Sequence, residues 1–180
     1  MRAPAEEVAV SDLIVLRRWR HDDVVPMRRA VTESIDHLRP WSTWVTDGYP
    51  VEAAQEFLDT ARRQWDEGVT FDYAITMDGG IVGGCGLMTR AGPGALEIGY
   101  WVHRARTGEG IITKTVERLA EVAFGIGADR VVIVHDELNE RSGAVPARLG
   151  FRQLARRRTS GRLPAPADSG VELVWELRAP

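Results

Sequence analysis

Thiols are almost missing from this chain, whose one cysteine is Cys85. A single thiol excludes an internal disulfide and a Cys-Cys metal pair, and it suits a reducing compartment, with Cys85 read as a small core residue. A dominant sign of charge is missing too. The 23 basic and 26 acidic side chains leave a formal net charge of −3, spread along the chain, so no strong field draws nucleic acid or an anionic lipid surface. No apolar run approaches the roughly 18 residues that a membrane helix needs, and Met1 to Val10 has no signal-like apolar stretch. These absences predict a soluble, cytoplasmic protein with no nucleic-acid and no membrane partner. Repeats at solenoid periods and low-complexity tracts are also lacking. The histidines His21, His37, His103 and His135 show no metal-ligand spacing, and no Ser-His-Asp order suggests a hydrolase, so no metal is expected.

What is present suits one globular core. The 180 residues, 44% of them hydrophobic, are enough for one domain of ordinary size and short for two, so 1–180 reads as a single domain. Leu13 to Arg18 is β-prone, and His21-Asp22-Asp23 offers caps before the helical spacing Val24, Met27, Ala30, Val31. After Pro50, the residues Ala54, Phe57, Leu58, Ala61 and Trp65 fall on one helical face. The middle is strand-rich: Thr70 to Met77, a turn at Asp78-Gly79-Gly80, Ile81 to Thr89, a turn at Gly92-Pro93-Gly94, then Ala95 to His103. That pattern is an antiparallel meander. Ile112, Val116, Leu119, Ala120 and Ala123 then mark a helix ended by Gly125 and Gly127, and Val131 to Val134 reads as a strand buried on both faces. Asn139 can cap a further helix to Leu149, with Gly150 beyond its end, and Phe151 to Arg156 and Val171 to Leu177 can pair around a loop at Pro164 to Gly170. The expected fold is α/β (α+β): a mixed, mostly antiparallel central sheet with helices on both faces.

The most informative segment is Thr107-Gly108-Glu109-Gly110-Ile111-Ile112-Thr113, between a strand and a helix. The first amides of a helix have no partner within it and bind phosphate well, and two glycines let the backbone approach a pyrophosphate. A Gly-x-Gly alone fits an unliganded tight turn equally well. Here Leu96-Glu97-Ile98-Gly99-Tyr100-Trp101-Val102 precedes it, and Asn139-Glu140-Arg141-Ser142 with Leu149-Gly150-Phe151 follows. In that order, over about Leu13 to Phe151, these motifs resemble the GNAT acetyltransferase superfamily. Together with Leu38-Arg39-Pro40-Trp41-Ser42-Thr43-Trp44, the Glu-Ile-Gly-Tyr-Trp strand is similar to the branch of ribosomal-protein N-terminal acetyltransferases.

The resemblance implies an N-acetyltransferase that uses acetyl-CoA and passes the acetyl group directly to a primary amine, at a protein N-terminus or on a small molecule. It implies that the strand ending at Trp101 and Val102 splays from its neighbour, Asp129 to His135, and that the pantetheine arm lies between them. Thr107, Gly108, Glu109, Gly110, Ile112 and Thr113 would wrap the pyrophosphate, with Asn139 and Ser142 beside the pantetheine and thiol. Trp41 and Trp44 would border the acceptor pocket. Homodimers are compatible with the resemblance, but no exposed apolar stripe demands one.

Acetyl transfer needs a neutral nitrogen, hence a general base, and Glu97 takes that role in this reading; pairing with a basic side chain is its structural alternative. Ser142 would hydrogen-bond the departing thiolate. Three positions depart from the family pattern. Glu109 stands where Lys or Arg is usual, and an acid beside a pyrophosphate opposes binding unless it turns outward. Ile112 replaces a small residue, and Pro146 removes one amide donor from its helix, which in an unrelieved helix costs on the order of 3 kcal/mol. These departures keep open a second reading, a GNAT-fold module that binds CoA or a partner without turnover. A third, an NTPase P-loop at Gly108 to Thr115, fails because Thr113 stands where that loop needs glycine.

Overall fold

A computed structural model describes residues 2–46, 48–160 and 163–180 of the chain. Eight strands form one sheet: β1 (Glu7–Ala9), β2 (Ile14–Arg18), β3 (Thr70–Met77), β4 (Gly80–Met88), β5 (Ala95–Val102), β6 (Arg130–Asp136), β7 (Arg152–Arg158) and β8 (Val171–Arg178). They lie in chain order except that β8 is inserted between β6 and β7. Every neighbouring pair is antiparallel save β5 and β6, which run parallel. The helices are α1 (Val24–Thr32), α2 (Ile35–Leu38), α3 (Val51–Asp66), α4 (Ile111–Gly125) and α5 (Glu140–Arg148). The mixed, mostly antiparallel sheet expected from the sequence is therefore present.

Local chemistry accounts for most boundaries. Met77 pairs with Gly80, so the β3–β4 hairpin turns on two residues, Asp78 and Gly79. Their φ angles, 51° and 77°, are those of the type I′ turn that matches strand twist. Pro50 stands at the start of α3 with extended backbone, and Asn139 caps α5 by accepting the Ser142 N–H at 3.2 Å. Strand β1 and helix α2 were not anticipated, since Glu7-Val8-Ala9 and Ile35-Asp36-His37-Leu38 are too short to show a period.

Alternation along the strands separates two apolar clusters. Tyr73, Ile75, Leu87, Leu96 and Ile98 pack with Ile111, Val116, Leu119 and Ala123 of α4. Ala74 faces the other way, with Met27 and Val31 of α1 and Ala54, Leu58 and Ala61 of α3. Trp19 and Trp65 are core residues, 3% and 4% exposed, the latter on the helical face read from the sequence. Among the described residues, no helix is long and apolar enough to cross a membrane, and no group of three or more His, Cys, Asp or Glu is placed to hold a metal ion.

The sheet has one discontinuity. The β5–β6 ladder consists of Ala95 with Arg130, Leu96 with Val131, and Glu97 with Val132, although β5 continues to Val102 and β6 to Asp136. Beyond Glu97 the two strands fork.

Candidate active site

The fork opens into a cleft of about 1570 Å³, and twelve of the thirteen residues singled out in the sequence line it: Trp41, Trp44, Glu97, Trp101, Val102, Thr107, Gly108, Gly110, Ile112, Thr113, Asn139 and Ser142. Glu109 is the exception. Its carboxylate does not line the cleft and pairs with Arg106, at 3.5 Å, which offsets part of the repulsion that an acid at this position would direct at a phosphate. Arg106, Lys114, Arg141 and Arg148 border the cleft, whose described lining carries basic and acidic side chains in equal number.

The floor of this end is main chain. Gly108 and Gly110 have φ of 85° and 75°, values that L side chains adopt only with strain. The first intrahelical bond of α4 runs from Lys114 N to Gly110 O, at 3.1 Å. The amides of Ile111, Ile112 and Thr113 are consequently left without helical acceptors, at the positive end of a fifteen-residue helix. Ile112 is half-buried and packs on the core beneath α4, so its branched side chain leaves the loop's backbone accessible. Thr113 is held from the other side by Arg148, whose guanidinium donates to its hydroxyl at 3.2 Å.

The edge of β5 supplies the next contacts. His103 N donates to Val82 O at 2.8 Å, and with Gly84 paired to Trp101 strand alternation turns the amides of Trp101 and Gly99 towards β4. Those of Tyr100 and Val102 face the fork, while that of Ile98 is taken by β6 in the last rung. Trp101 thus enters the cleft by its ring, Val102 by its backbone. That ring lies flat over Gly84: a Cβ built there would stand 2.5 Å from the indole nitrogen and 3.2 Å from Trp19. Trp44 meets Trp101 with ring centroids 6.1 Å apart, and with Trp41 they make an aromatic wall.

Glu97 stands at the last rung before the fork and is 13% exposed at its side chain. Both its oxygens are engaged by Arg90, Nε to Oε2 at 3.0 Å and Nη2 to Oε1 at 2.5 Å. The ion pair and the position in the cleft therefore coexist. Across the cleft, Arg157 pairs with buried Glu172 at 3.3 Å, and the loop before β8 is fastened to the opposite wall by Ala167 N donating to Pro40 O at 2.9 Å. That contact roofs the aromatic end of the cleft.

Sequence reasoning passed over two residues of this site. Tyr100 donates its hydroxyl to Ser142 O at 2.9 Å and lies 3.2 Å from Ser142 Oγ; burial pushes its phenol up to about 12, opposed by the Ser142 contact. His135 lies under α5, its Nδ1 2.8 Å from Asp136 O and its Nε2 accepting from Trp175 Nε1 at 2.9 Å. Burial lowers its pKa, opposed by the Asp136 carbonyl and charge. The two contacts fix a neutral ring with the proton on Nδ1.

One further carboxyl bears on the site's stability. Asp72 lies against Gly86, where a Cβ would approach Asp72 Oδ1 closely; burial pushes its pKa up to about 7 from 3.8, with Arg90 acting in the other direction. A raised carboxyl pKa stabilises the fold below the unfolded value, near 3.8, and that contribution is lost as pH rises through 7. Asp72→Asn should therefore raise the unfolding temperature relative to wild type more at pH 8 than at pH 5, by an amount of order 2 kcal/mol. Thermal unfolding at both pH values checks this, and an equal difference at the two would contradict it.

A strand fork, a glycine-rich helix start with unpaired amides and an aromatic wall thus meet in one cleft. Residues 14–152 match the acetyltransferase (GNAT) domain family, and the chain belongs to it. Over 148 residues it is 27% identical to the "Putative ribosomal N-acetyltransferase YdaF" of Bacillus subtilis (strain 168), covering 79% of each chain. Among solved structures it is similar to Mycobacterium smegmatis RimJ in complex with CoA-disulfide, with a TM-score of 0.84, 25% identity, and 92% and 82% of the two chains covered. It is also similar to RimL, a ribosomal L7/L12 alpha-N-protein acetyltransferase in complex with coenzyme A, with a TM-score of 0.87, 20% identity, and 96% and 98% covered.

Proposed function

We propose that this chain is an acetyl-CoA-dependent N-acetyltransferase whose acceptor is the α-amino group at a protein or peptide N-terminus. The observation that carries the reading is the placement of Glu97 at the fork, Ser142 on its far side and the α4 amides below, all in one cleft. Acetyl-CoA, when bound, supplies the activated thioester. The unpaired amides of Ile111, Ile112 and Thr113 would hold its diphosphate, and the carbonyl of Ile98 with the inward-facing backbone of Tyr100 and Val102 its pantetheine arm. The Val102 amide is then available to the charge that develops on the acyl oxygen. Glu97 would draw a proton from the acceptor nitrogen, directly or through water, and Ser142 would give a hydrogen bond to the departing sulfur.

The base favours one acceptor. Any carboxylate is a weak base beside an alkylamine, adequate where the amine is already partly neutral. Roughly a third of α-amines are neutral near pH 7.5, against about 0.1% of lysines. The RimL and YdaF names point the same way, since each speaks of N-acetylation in a ribosomal context. The roof formed by Ala167 and Pro40 likewise suits a thin chain end entering lengthwise. We keep the cytoplasm as the location on the strength of the single, buried and unpaired Cys85.

Two measurements test the reading. Calorimetric titration with acetyl-CoA should give micromolar binding, about −8 kcal/mol. A short peptide with a free N-terminus should then be acetylated faster than the same peptide blocked at its N-terminus and carrying an internal lysine. No binding up to millimolar acetyl-CoA would overturn the transferase assignment; faster modification of the lysine peptide would overturn the acceptor.

A further inference from the structure

Ser142 lies four residues before Pro146 within α5. Residue 146 would ordinarily donate its amide to the Ser142 carbonyl, but proline has no N–H and its ring crowds that oxygen. The Ser142 carbonyl therefore needs a donor from outside the helix. It receives one from β5: Tyr100 Oη is 2.9 Å from Ser142 O. A phenol has one proton, and a carbonyl can only accept, so the proton is committed there. The neighbouring contact of 3.2 Å between Tyr100 Oη and Ser142 Oγ is then one that the serine proton makes while no thioester is bound, and leaves when Ser142 turns that proton to the departing sulfur. The Ser142 N–H is held by Asn139 Oδ1 at 3.2 Å. The N–H and carbonyl of Ser142 thus have fixed partners, and its hydroxyl lies within reach of the same tyrosine oxygen.

We propose that Tyr100 is the positioning residue for Ser142: its hydroxyl stands in for the amide that Pro146 lacks, and thereby sets the serine at the point where the thioester opens. The inference rests on the reading of Ser142 as the hydrogen-bond donor to the departing sulfur. Tyr100 itself takes no part in proton transfer, being committed to the backbone. Its route to the chemistry runs through the first turn of α5, across the fork from its own strand. The Pro146 departure from the family pattern and the position of Tyr100 are then two halves of one device.

The test is a cycle of Y100F, P146A and the double variant, followed by urea unfolding and steady-state kinetics. In P146A the alanine amide can reach the Ser142 carbonyl, so the tyrosine hydroxyl becomes dispensable there. We expect Y100F to lower the unfolding midpoint with Pro146 present and to change it much less in the P146A chain. We expect kcat to fall about tenfold in Y100F, with the acetyl-CoA KM within about twofold, and to recover to within about threefold in the double variant. In an S142A chain, Y100F should have little further effect on kcat. Equal midpoint losses in both backgrounds would overturn the proposal, as would a Y100F loss of kcat that persists undiminished in S142A. Absence of acetyl transfer by the wild type would instead overturn the proposed function, and the unfolding cycle would still decide whether Tyr100 replaces the missing amide.

Discussion

Glu97→Gln should slow acetyl transfer about a hundredfold near pH 7 while leaving acetyl-CoA affinity within about twofold. The substitution keeps the shape of the side chain and one acceptor oxygen for Arg90, so the pair at 2.5 and 3.0 Å is weakened without emptying the space. The strand is equally well supported, because Glu97 is flanked by Met88 on β4 and Val132 on β6. What the amide cannot do is take a proton. The rate loss should therefore shrink as pH rises towards 9, where more of an α-amine is neutral without help. Initial rates against pH for both proteins make the measurement, and superimposable profiles would remove Glu97 from the chemistry.

The second large effect concerns the floor of the fork. Gly83→Ala should destabilise the fold by about 3 kcal/mol, because the added methyl meets main chain that has nowhere to go. A Cβ on Gly83 would approach the Trp101 carbonyl closely and stand 3.2 Å from the Val102 Cα and 3.3 Å from the Ile75 side chain. For a chain of this size that corresponds to a fall of about 10 °C in Tm. Gly84→Ala makes the instructive comparison, since its Cβ would meet the edges of the Trp101 and Trp19 rings. Rings can tilt, so that change should raise the acceptor KM more than it lowers Tm. A Gly83→Ala protein that melts within about 2 °C of wild type would contradict this account of the floor.

Periodicity and turn chemistry made most of the fold legible. The Asp78-Gly79 hairpin, the α3 stripe ending at Trp65 and the Asn139 cap each rest on local rules that tertiary packing did not override. The cleft was legible for a different reason, an ordered series of motifs resembling a family, and twelve of those residues do line one cavity. The direction of a side chain was not. Glu109 sits in the middle of the phosphate loop by sequence, yet its side chain pairs with an arginine three residues earlier and does not line the cleft. Strand alternation separated Trp101 from Val102, a distinction that needs the pairing register with β4. The Tyr100 contact was the most recoverable omission: a proline inside a helix leaves a specific carbonyl, four residues earlier, in need of a donor. Asking what could reach Ser142 would have pointed outside α5. The Arg90 pairing and the Pro40 roof, by contrast, join residues that no local pattern relates.

The three-rung ladder between β5 and β6 also bears on how the molecule holds together. Eight strands are nominally one sheet, yet its two portions share fewer hydrogen-bonded rungs than the seven that join β6 to β8. A donor lodged in the fork would occupy the place of the rungs that the strands do not make with each other. Its binding free energy would then be mechanical as well as catalytic, a removable suture across the sheet, and the concentration of donor in solution would set how tightly the two portions are sewn.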